Sequence, residues 1–169
     1  TGCHIWPFTP DHQSWTTNAL LRRTGTAYRG SSTNDWLRWV SCFSYGYFRG
    51  FYVSGVASNT FLLCQADNTS TAGVGDHAGS FGFALDGTCA DPRFIGCQAA
   101  AQGSGYYYAN TTGQHGTFIG CDAWASTTNG MQVVTGDATI LGGTLRNSPY
   151  GVAVESSASI VSIDRMRFK

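Results

Sequence analysis

Three aspartates are the residues of this chain whose type and setting could support acid–base chemistry. Asp67, Asp76 and Asp122 lie in segments rich in turn-forming residues. Two carboxyl groups about 6.5–9.5 Å apart suit hydrolysis of a glycosidic bond with inversion, and about 5–5.5 Å suits retention. We take the three as candidate catalytic residues, although an aspartate in such a segment more commonly serves to form the turn.

Aromatic and basic side chains accompany these carboxylates. A Trp or Tyr ring offers a flat apolar surface to the C–H face of a pyranose, while Arg and Asp side chains bind its hydroxyls. The candidate glycan-binding residues are Trp6, Trp15, Arg22, Arg23, Tyr45 and Trp124. Any single ring could instead cover the hydrophobic interior or pack against a neighbouring subunit. As a group, these residues favour carbohydrate recognition.

Composition and charge argue against several other classes of function. Ten basic and ten acidic residues cancel, whereas nucleic acids and anionic membranes attract proteins with a basic surplus. We therefore expect no nucleic-acid partner and no membrane partner. The four His residues have no metal-ligand spacing and no Cys-x-x-Cys pair occurs, so we expect neither a metal site nor a cofactor.

A repeated motif of aromatic, aliphatic, small, Cys, polar and Ala residues organises the chain. Its closest copies begin at Phe61, Phe94 and Phe118, weaker copies lie in both directions, and the interval between copies is 20 to 24 residues where no insertion intervenes. That interval is too short for a strand–helix–strand unit and suits a coil of short strands joined by turns. The sequence also contains one Lys and one Glu, which depletes two strong helix formers.

The repeats predict an all-β fold, a right-handed parallel β-helix of about seven coils. Because they run through the whole chain, we expect residues 1–169 to form a single domain. The first residue is Thr rather than Met, so we expect a helix that is incomplete at its N-terminus and a chain that is a fragment of a longer one. Five of the six Cys residues fall on one column, where we expect small, buried, reduced thiols.

Two insertions interrupt the regular spacing. The Cys position precedes the Gly that opens the next strand by 8 or 9 residues in regular coils, but Cys3 precedes Gly25 by 22 and Cys64 precedes Gly82 by 18. Both insertions leave the same corner, in coils roughly 10 Å apart along the axis. We therefore expect them to wall a shared groove, with the candidate residues on the insertions or on the short turns beside them.

The Phe-Ile-Gly-Cys coils at Phe94 and Phe118 resemble those of the pectin-lyase-like β-helix superfamily. The opening Cys3-His4-Ile5-Trp6-Pro7-Phe8 is similar to the β-helix part of phage and phage-related tailspikes. This resemblance implies a homotrimeric spike on a virion surface or in the extracellular space. It also implies that bacterial capsule or O-antigen polysaccharide is the partner, which such spikes bind and often cleave.

Three functions therefore remain open. The first is a viral spike module that binds bacterial surface polysaccharide for host attachment. The second is a polysaccharide-degrading glycoside hydrolase or lyase on the same fold, and the third is a structural solenoid of an adhesin or surface protein. Whether the chain is an enzyme is undecided, because the only Glu, Glu155, is distant in sequence from both insertions.

Overall fold

A computed structural model describes residues 2–5, 23–31, 36–68, 79–112 and 114–169, which contain strands and no helix. The strands are β1 (His4–Ile5), β2 (Arg23–Ser31), β3 (Trp36–Val40), β4 (Phe43–Tyr45), β5 (Tyr47–Ser54), β6 (Val56–Leu62), β7 (Gln65–Asp67), β8 (Phe81–Gly87), β9 (Cys89–Ile95), β10 (Gln98–Ala100), β11 (Ser104–Asn110), β12 (His115–Trp124), β13 (Asn129–Arg146), β14 (Tyr150–Asp164) and β15 (Arg167–Phe168).

The strands pair in parallel with the preceding and following turns of one solenoid, and they stack on three faces. Face 1 contains β1, β4, β7, β10, the end of β12, the end of β13, and β15. Face 2 contains β2, β5, β8, β11 and the starts of β13 and β14. Face 3 contains β3, β6, β9, the start of β12, the middle of β13 and the end of β14.

This architecture confirms the all-β parallel β-helix that the repeats predict. The solenoid has about five turns, fewer than the seven coils expected. The expectation counted one coil for each copy of the motif. A complete turn runs from one copy to the next, so the number of complete turns is smaller than the number of copies. The first copy, moreover, contributes only the two-residue β1 to the described strands.

Each turn of the solenoid has a left-handed residue at the equivalent position of the corner between faces 3 and 1, and in β13 the next residue, Gly143, is left-handed as well. The residues at the equivalent position, with φ between 52° and 66°, are Ser41, Leu63, Gly96, Gly120, Gly142 and Arg165. A single residue in this conformation redirects the chain sharply, and glycine adopts it without steric cost. The motif therefore carries glycine before Cys97 and Cys121 because the corner requires this conformation.

Two columns of stacked aromatic rings fill the interior. Face 2 contributes Tyr28, Phe51, Phe83 and Tyr106, whose successive ring centroids lie 4.7, 4.8 and 5.1 Å apart. Face 3 contributes Trp39, Phe61, Phe94 and Phe118, at 4.8, 4.7 and 4.6 Å. Rings of the two columns meet edge to face, an arrangement that adds to the free energy gained from burial.

The cysteine column is confirmed inside the solenoid. Its buried members, all free thiols, are Cys42, Cys64, Cys97 and Cys121. The Sγ atoms of the last three each donate to a carbonyl of the preceding turn, at 3.3–3.4 Å. Cys3 belongs to the same column because its carbonyl accepts a hydrogen bond from Phe43 N, but Cys3 is exposed at the column's end.

Small residues line the corner between faces 1 and 2. A Cβ added to Gly105 would lie 2.5 Å from the carbonyl oxygen of Gly130 and 2.7 Å from Ala123 Cβ. Gly50 and Gly82 are enclosed in the same way. The alanines of face 1 and the glycines of face 2 are therefore required by the close approach of the two faces.

The sequence alignment places Gly25 in this glycine column, but the structure places Ala27 there. Tyr28 pairs with Phe51, so the residue before it lies opposite Gly50. Strand β2 carries an extra residue between Arg23 and Thr26 relative to β5, and this bulge shifts the register.

The last turn exposes inward-facing positions that are covered in earlier turns. The exposed positions are Val154 (52 %), Ile163 (43 %) and Phe168 (57 %). Each continues an interior column, and the residue before it in that column is at most 2 % exposed. The aromatic and aliphatic core columns therefore run up to the final described strands without a polar cap.

Candidate functional site

The outer surface of face 1 brings together the described candidate residues in two parallel columns. The first column contains Phe43, Gln65, Gln98, Asp122 and Thr144. The second contains Tyr45, Asp67, Ala100, Trp124 and Arg146. Alternation along each strand directs the alanines between these columns inward. Face 1 thus presents rings, amides and carboxylates at a spacing of about 4.8 Å from one strand to the next.

The strands that flank the two insertions are described, and they confirm a shared corner. The connections from β1 to β2 and from β7 to β8 both run from face 1 to face 2, in turns two steps apart. The inserted segments 6–22 and 69–78 lie outside the described residues. Four candidates are in these segments and stay predictions: Trp6, Trp15, Arg22 and Asp76. Arg23 begins β2 opposite Tyr47.

Tyr45 and Asp67 lie opposite each other on neighbouring strands beside that corner. Asp67 Oδ1 accepts a hydrogen bond of 2.7 Å from the backbone N–H of Asn68, which itself lies at the start of the second insertion. Burial raises the pKa of the Asp67 carboxyl despite this hydrogen bond. Burial of the Tyr45 phenol raises its pKa, and the negative charge of Asp67 raises that pKa further. The pair is therefore a partly desolvated acid beside a ring.

Asp122 and Trp124 lie two residues apart on β12 and point to the same outer surface. Asp122 Oδ1 accepts a hydrogen bond of 2.7 Å from the backbone N–H of Thr144, on the side away from Asp67. Two strand spacings and an offset of two residues separate the backbones of Asp67 and Asp122 by about 12 Å. The described contacts therefore do not draw these carboxylates together, and their catalytic roles stay predictions.

Trp124 is half-buried, and the side chain of Arg146, which was not among the candidate residues, lies over its ring. The guanidinium carbon of Arg146 lies 5.2 Å from the Trp124 ring centroid, which is a cation–π contact. Arg146 pairs with Trp124 across β12 and β13. Aligning Thr144-Leu145-Arg146 with Asp122-Ala123-Trp124 would have identified it, but that copy of the motif has lost its Cys.

The N-terminal end of face 1 forms a shallow cavity of about 250 Å³. Its lining residues are His4, Ser41, Cys42, Phe43, Leu63 and Gln65. The rings of His4 and Phe43 lie 5.8 Å apart between centroids. This cavity lies toward the corner with face 3, whereas Tyr45 and Trp124 lie toward the corner with face 2. The cavity therefore extends the candidate surface but does not contain these two rings.

Gln102 is buried beneath the corner between faces 1 and 2. Gln102 is 1 % exposed and follows Ala101, a left-handed residue at the corner between faces 1 and 2. Both amide atoms of Gln102, and the hydroxyl of the neighbouring buried Ser126, have no hydrogen-bond partner within the described ranges. The corner to which the second insertion is attached therefore contains polar groups beneath its surface.

Within the described part of the chain, no group of three or more His, Cys, Asp and Glu residues is arranged to hold a metal ion. The same residues include no helix with the length and hydropathy to cross a bilayer. Neither a protein family model, nor a curated protein sequence, nor a solved structure matches the chain.

Proposed function

We propose that the chain is a viral, phage-like spike module that binds bacterial surface polysaccharide for host attachment through the outer surface of face 1. The observation that carries this proposal is the column of Tyr45, Asp67 and Trp124 beside the corner that receives both insertions. A ring from one turn and a carboxylate from the next are separated by the buried Ala100 from a second ring two turns further along the same column.

The chemistry of this surface matches that of a sugar chain. Trp124 presents a half-buried aromatic ring on which the C–H face of a pyranose packs. Gln65, Gln98 and Asp122 form a neighbouring column of amide and carboxylate groups that bind hydroxyls at the ring edge. Because the column of amides and the carboxylate crosses successive strands, one polymer could contact several turns at once, which increases affinity.

Homotrimeric assembly on a virion surface is part of the same proposal. The resemblance to tailspikes suggests it, and face 3 has a surface that suits subunit contact. Its outward column contains Val40, Leu62, Ile95, Ile119 and Leu141, of which the first and last two are exposed. An aliphatic column on a flat parallel sheet is the kind of surface that oligomers bury.

A glycoside hydrolase on the same surface is the second candidate, and Asp67 favours it. A general acid must retain its proton near neutral pH, and burial raises the pKa of Asp67 in that direction. Asp122→Asn provides a clean test because its amide oxygen can still accept the Thr144 hydrogen bond. Release of reducing ends by the wild type but not by this variant would establish the hydrolase, and intact polymer in both cases would exclude it.

Two tryptophans on different faces allow a direct test of glycan binding. Trp124→Ala should weaken binding to bacterial polysaccharide or adsorption to bacterial cells about tenfold or more, by analogy with bases stacked on aromatic rings. Trp36→Ala is the matched control, because Trp36 lies on face 3 and is 73 % exposed. Equal binding by the wild type and Trp124→Ala would reject the site. Absence of binding to every polysaccharide and cell type would leave a structural solenoid as the better account.

A further inference from the structure

Three basic side chains converge at the C-terminal end of face 1, next to Trp124. Arg146 follows Trp124 in its column, and Arg167 follows Thr144 in the adjacent column. Lys169 lies beside Arg146, because its N–H donates to Leu145 O and its carbonyl accepts from Asn147 N, both at 3.0 Å. The backbones of Arg146 and Arg167 are about 8 Å apart, given one strand spacing and a two-residue offset.

These three cations have no anionic partner in the described structure. The one ion pair among the described residues joins Asp164 to Arg165, at 3.5 Å, and involves none of them. Asp122 is the carboxylate nearest to them on face 1, and its Oδ1 is bound to Thr144 N. The chain as a whole has no net charge, so the positive charge is a local property of this end of the surface.

The arrangement also separates acidic from basic groups along the solenoid. Asp67 and Asp122 lie on β7 and β12, whereas Arg146 and Arg167 lie on the next strands toward the C-terminal end. A neutral polymer would gain nothing from this separation. A polymer with a carboxylate on some of its sugars would place that group at the basic end and its hydroxyls along the amide column.

Arg146 is positioned to act together with Trp124 on one sugar. Its guanidinium carbon lies over the ring, 5.2 Å from the centroid, so Arg146 covers one face of Trp124 and a sugar has the opposite face on which to stack. A guanidinium binds a carboxylate through two parallel hydrogen bonds, and these are stronger than hydrogen bonds between neutral groups. A sugar stacked on the opposite face of Trp124, with its carboxylate at the outer edge of the ring, would bring that carboxylate to the N–H donors of Arg146.

We propose that the polysaccharide bound by this surface is acidic, and that Arg146 and Arg167 bind the carboxylate of a uronic-acid-type sugar stacked on Trp124. This inference rests on the proposed function and adds the chemical class of the polymer and the residues that select it. Arg146 supplies the two-point contact and Arg167 a second cation within reach of the same or the next acidic sugar. Neutral polysaccharides should bind the same surface more weakly.

The test uses a panel of acidic bacterial capsular polysaccharides, each paired with the same polymer after chemical reduction of its carboxyl groups. The wild type should bind at least one acidic polymer about tenfold or more tightly than its reduced form, since hydrogen bonds to charged groups contribute this much or more. The double variant R146Q/R167Q should bind both forms equally, at the level of the reduced polymer. Binding of the acidic form should also weaken as salt is added.

The matched control is R38Q/R93Q, which removes the same net charge from exposed arginines in one outward column of face 3. Because face 3 is also the proposed subunit contact, this variant should bind like the wild type when the two proteins are compared in the same oligomeric state. An equal loss in the two double variants would overturn the inference, because overall charge would then explain the binding. Equal wild-type binding of acidic and reduced polymers would overturn it too, while leaving the proposed function intact. No binding to any polymer would overturn the proposed function, and the inference with it.

Discussion

At the scale of single residues, Asp67 shows how face 1 holds an acid in a partly desolvated position. Its carboxylate has one backbone hydrogen bond, from Asn68, and lies opposite the ring of Tyr45. Burial outweighs this hydrogen bond and raises the pKa of Asp67. A position that costs stability at neutral pH is common at functional sites, where the group serves another purpose.

Asp67→Asn should raise the melting temperature near pH 7 and leave it unchanged near pH 3. Because the pKa of Asp67 in the folded state is raised above its ordinary value of 3.8, the folded protein retains this proton to a higher pH than the unfolded chain. Wild-type stability therefore falls relative to the variant as the pH rises through the raised pKa. Thermal melts of both proteins across this range measure the difference, and a variant less stable than the wild type near pH 7 would contradict it.

Cys97 illustrates the opposite setting, a polar atom wholly enclosed by the solenoid. It is fully buried, and its thiol donates to Phe61 O at 3.4 Å. Hydrogen bonding with Cys121 and Cys64, followed by burial, raises the pKa of Cys97. The thiol therefore stays protonated and acts as a small interior group with its hydrogen bond satisfied.

Cys97→Asp should lower the free energy of unfolding by about 3 kcal/mol or more, because it places a carboxyl group among stacked apolar residues. Gln98→Asp is the control, with the same new side chain one residue later on the outer surface. Its neighbour Asp122 adds a repulsion of at most about 1 kcal/mol. Chemical denaturation measures both, and equal losses would mean that the inward and outward assignments on β10 are wrong.

At the scale of elements, the corner between faces 1 and 2 depends on contact between glycine backbones and alanine methyl groups. Gly105 lies between Gly130 O and Ala123 Cβ, with no room for a side chain. The same contact recurs from turn to turn, and it sets how closely face 2 approaches face 1. Close approach here positions β7, β10 and β12, and with them the site on their outer surface.

Gly105→Ala should lower the free energy of unfolding by about 1–3 kcal/mol, since the added methyl group must displace backbone and not a flexible side chain. Gly25→Ala is the control, because a Cβ at Gly25 would meet no atom within 4 Å. It should change stability by less than about 0.5 kcal/mol. If urea denaturation showed the two variants to be equally stable, the close contact between faces would be refuted.

Much of this element structure could be predicted from sequence because a solenoid repeats its contacts. The Phe, Cys and Ala positions of the motif each became a continuous interior column, as in Phe94, Cys97 and Ala99. Gly25 was assigned to the glycine column from its residue type, but the pairing of Tyr28 with Phe51 places Ala27 there, and the bulge in β2 leaves no mark in the spacing of motifs. The burial of Gln102 has no signal in the sequence either, because it depends on the left-handed conformation of Ala101 at the corner.

At the scale of the whole molecule, the solenoid gives faces 1 and 3 outer surfaces of different chemistry around one interior. Face 1 combines rings with carboxylates and amides, and face 3 presents an aliphatic column. The sequence predicted that both insertions share the corner of face 1, since this follows from counting residues between columns. The contact of Arg146 with Trp124 was missed because this copy of the motif has lost its Cys, which obscures the alignment of Arg146 with Trp124.

The central claim is that face 1 is the polysaccharide-binding surface, and hydroxyl-radical footprinting of the protein with and without a bound bacterial polysaccharide tests it most directly. Oxidation measures the exposure of individual aromatic side chains. Bound polymer should protect Trp124 and Tyr45 and leave Trp36 on face 3 unchanged. Protection of Trp36 with unchanged oxidation of Trp124 and Tyr45 would contradict the claim and place the polymer on a different face.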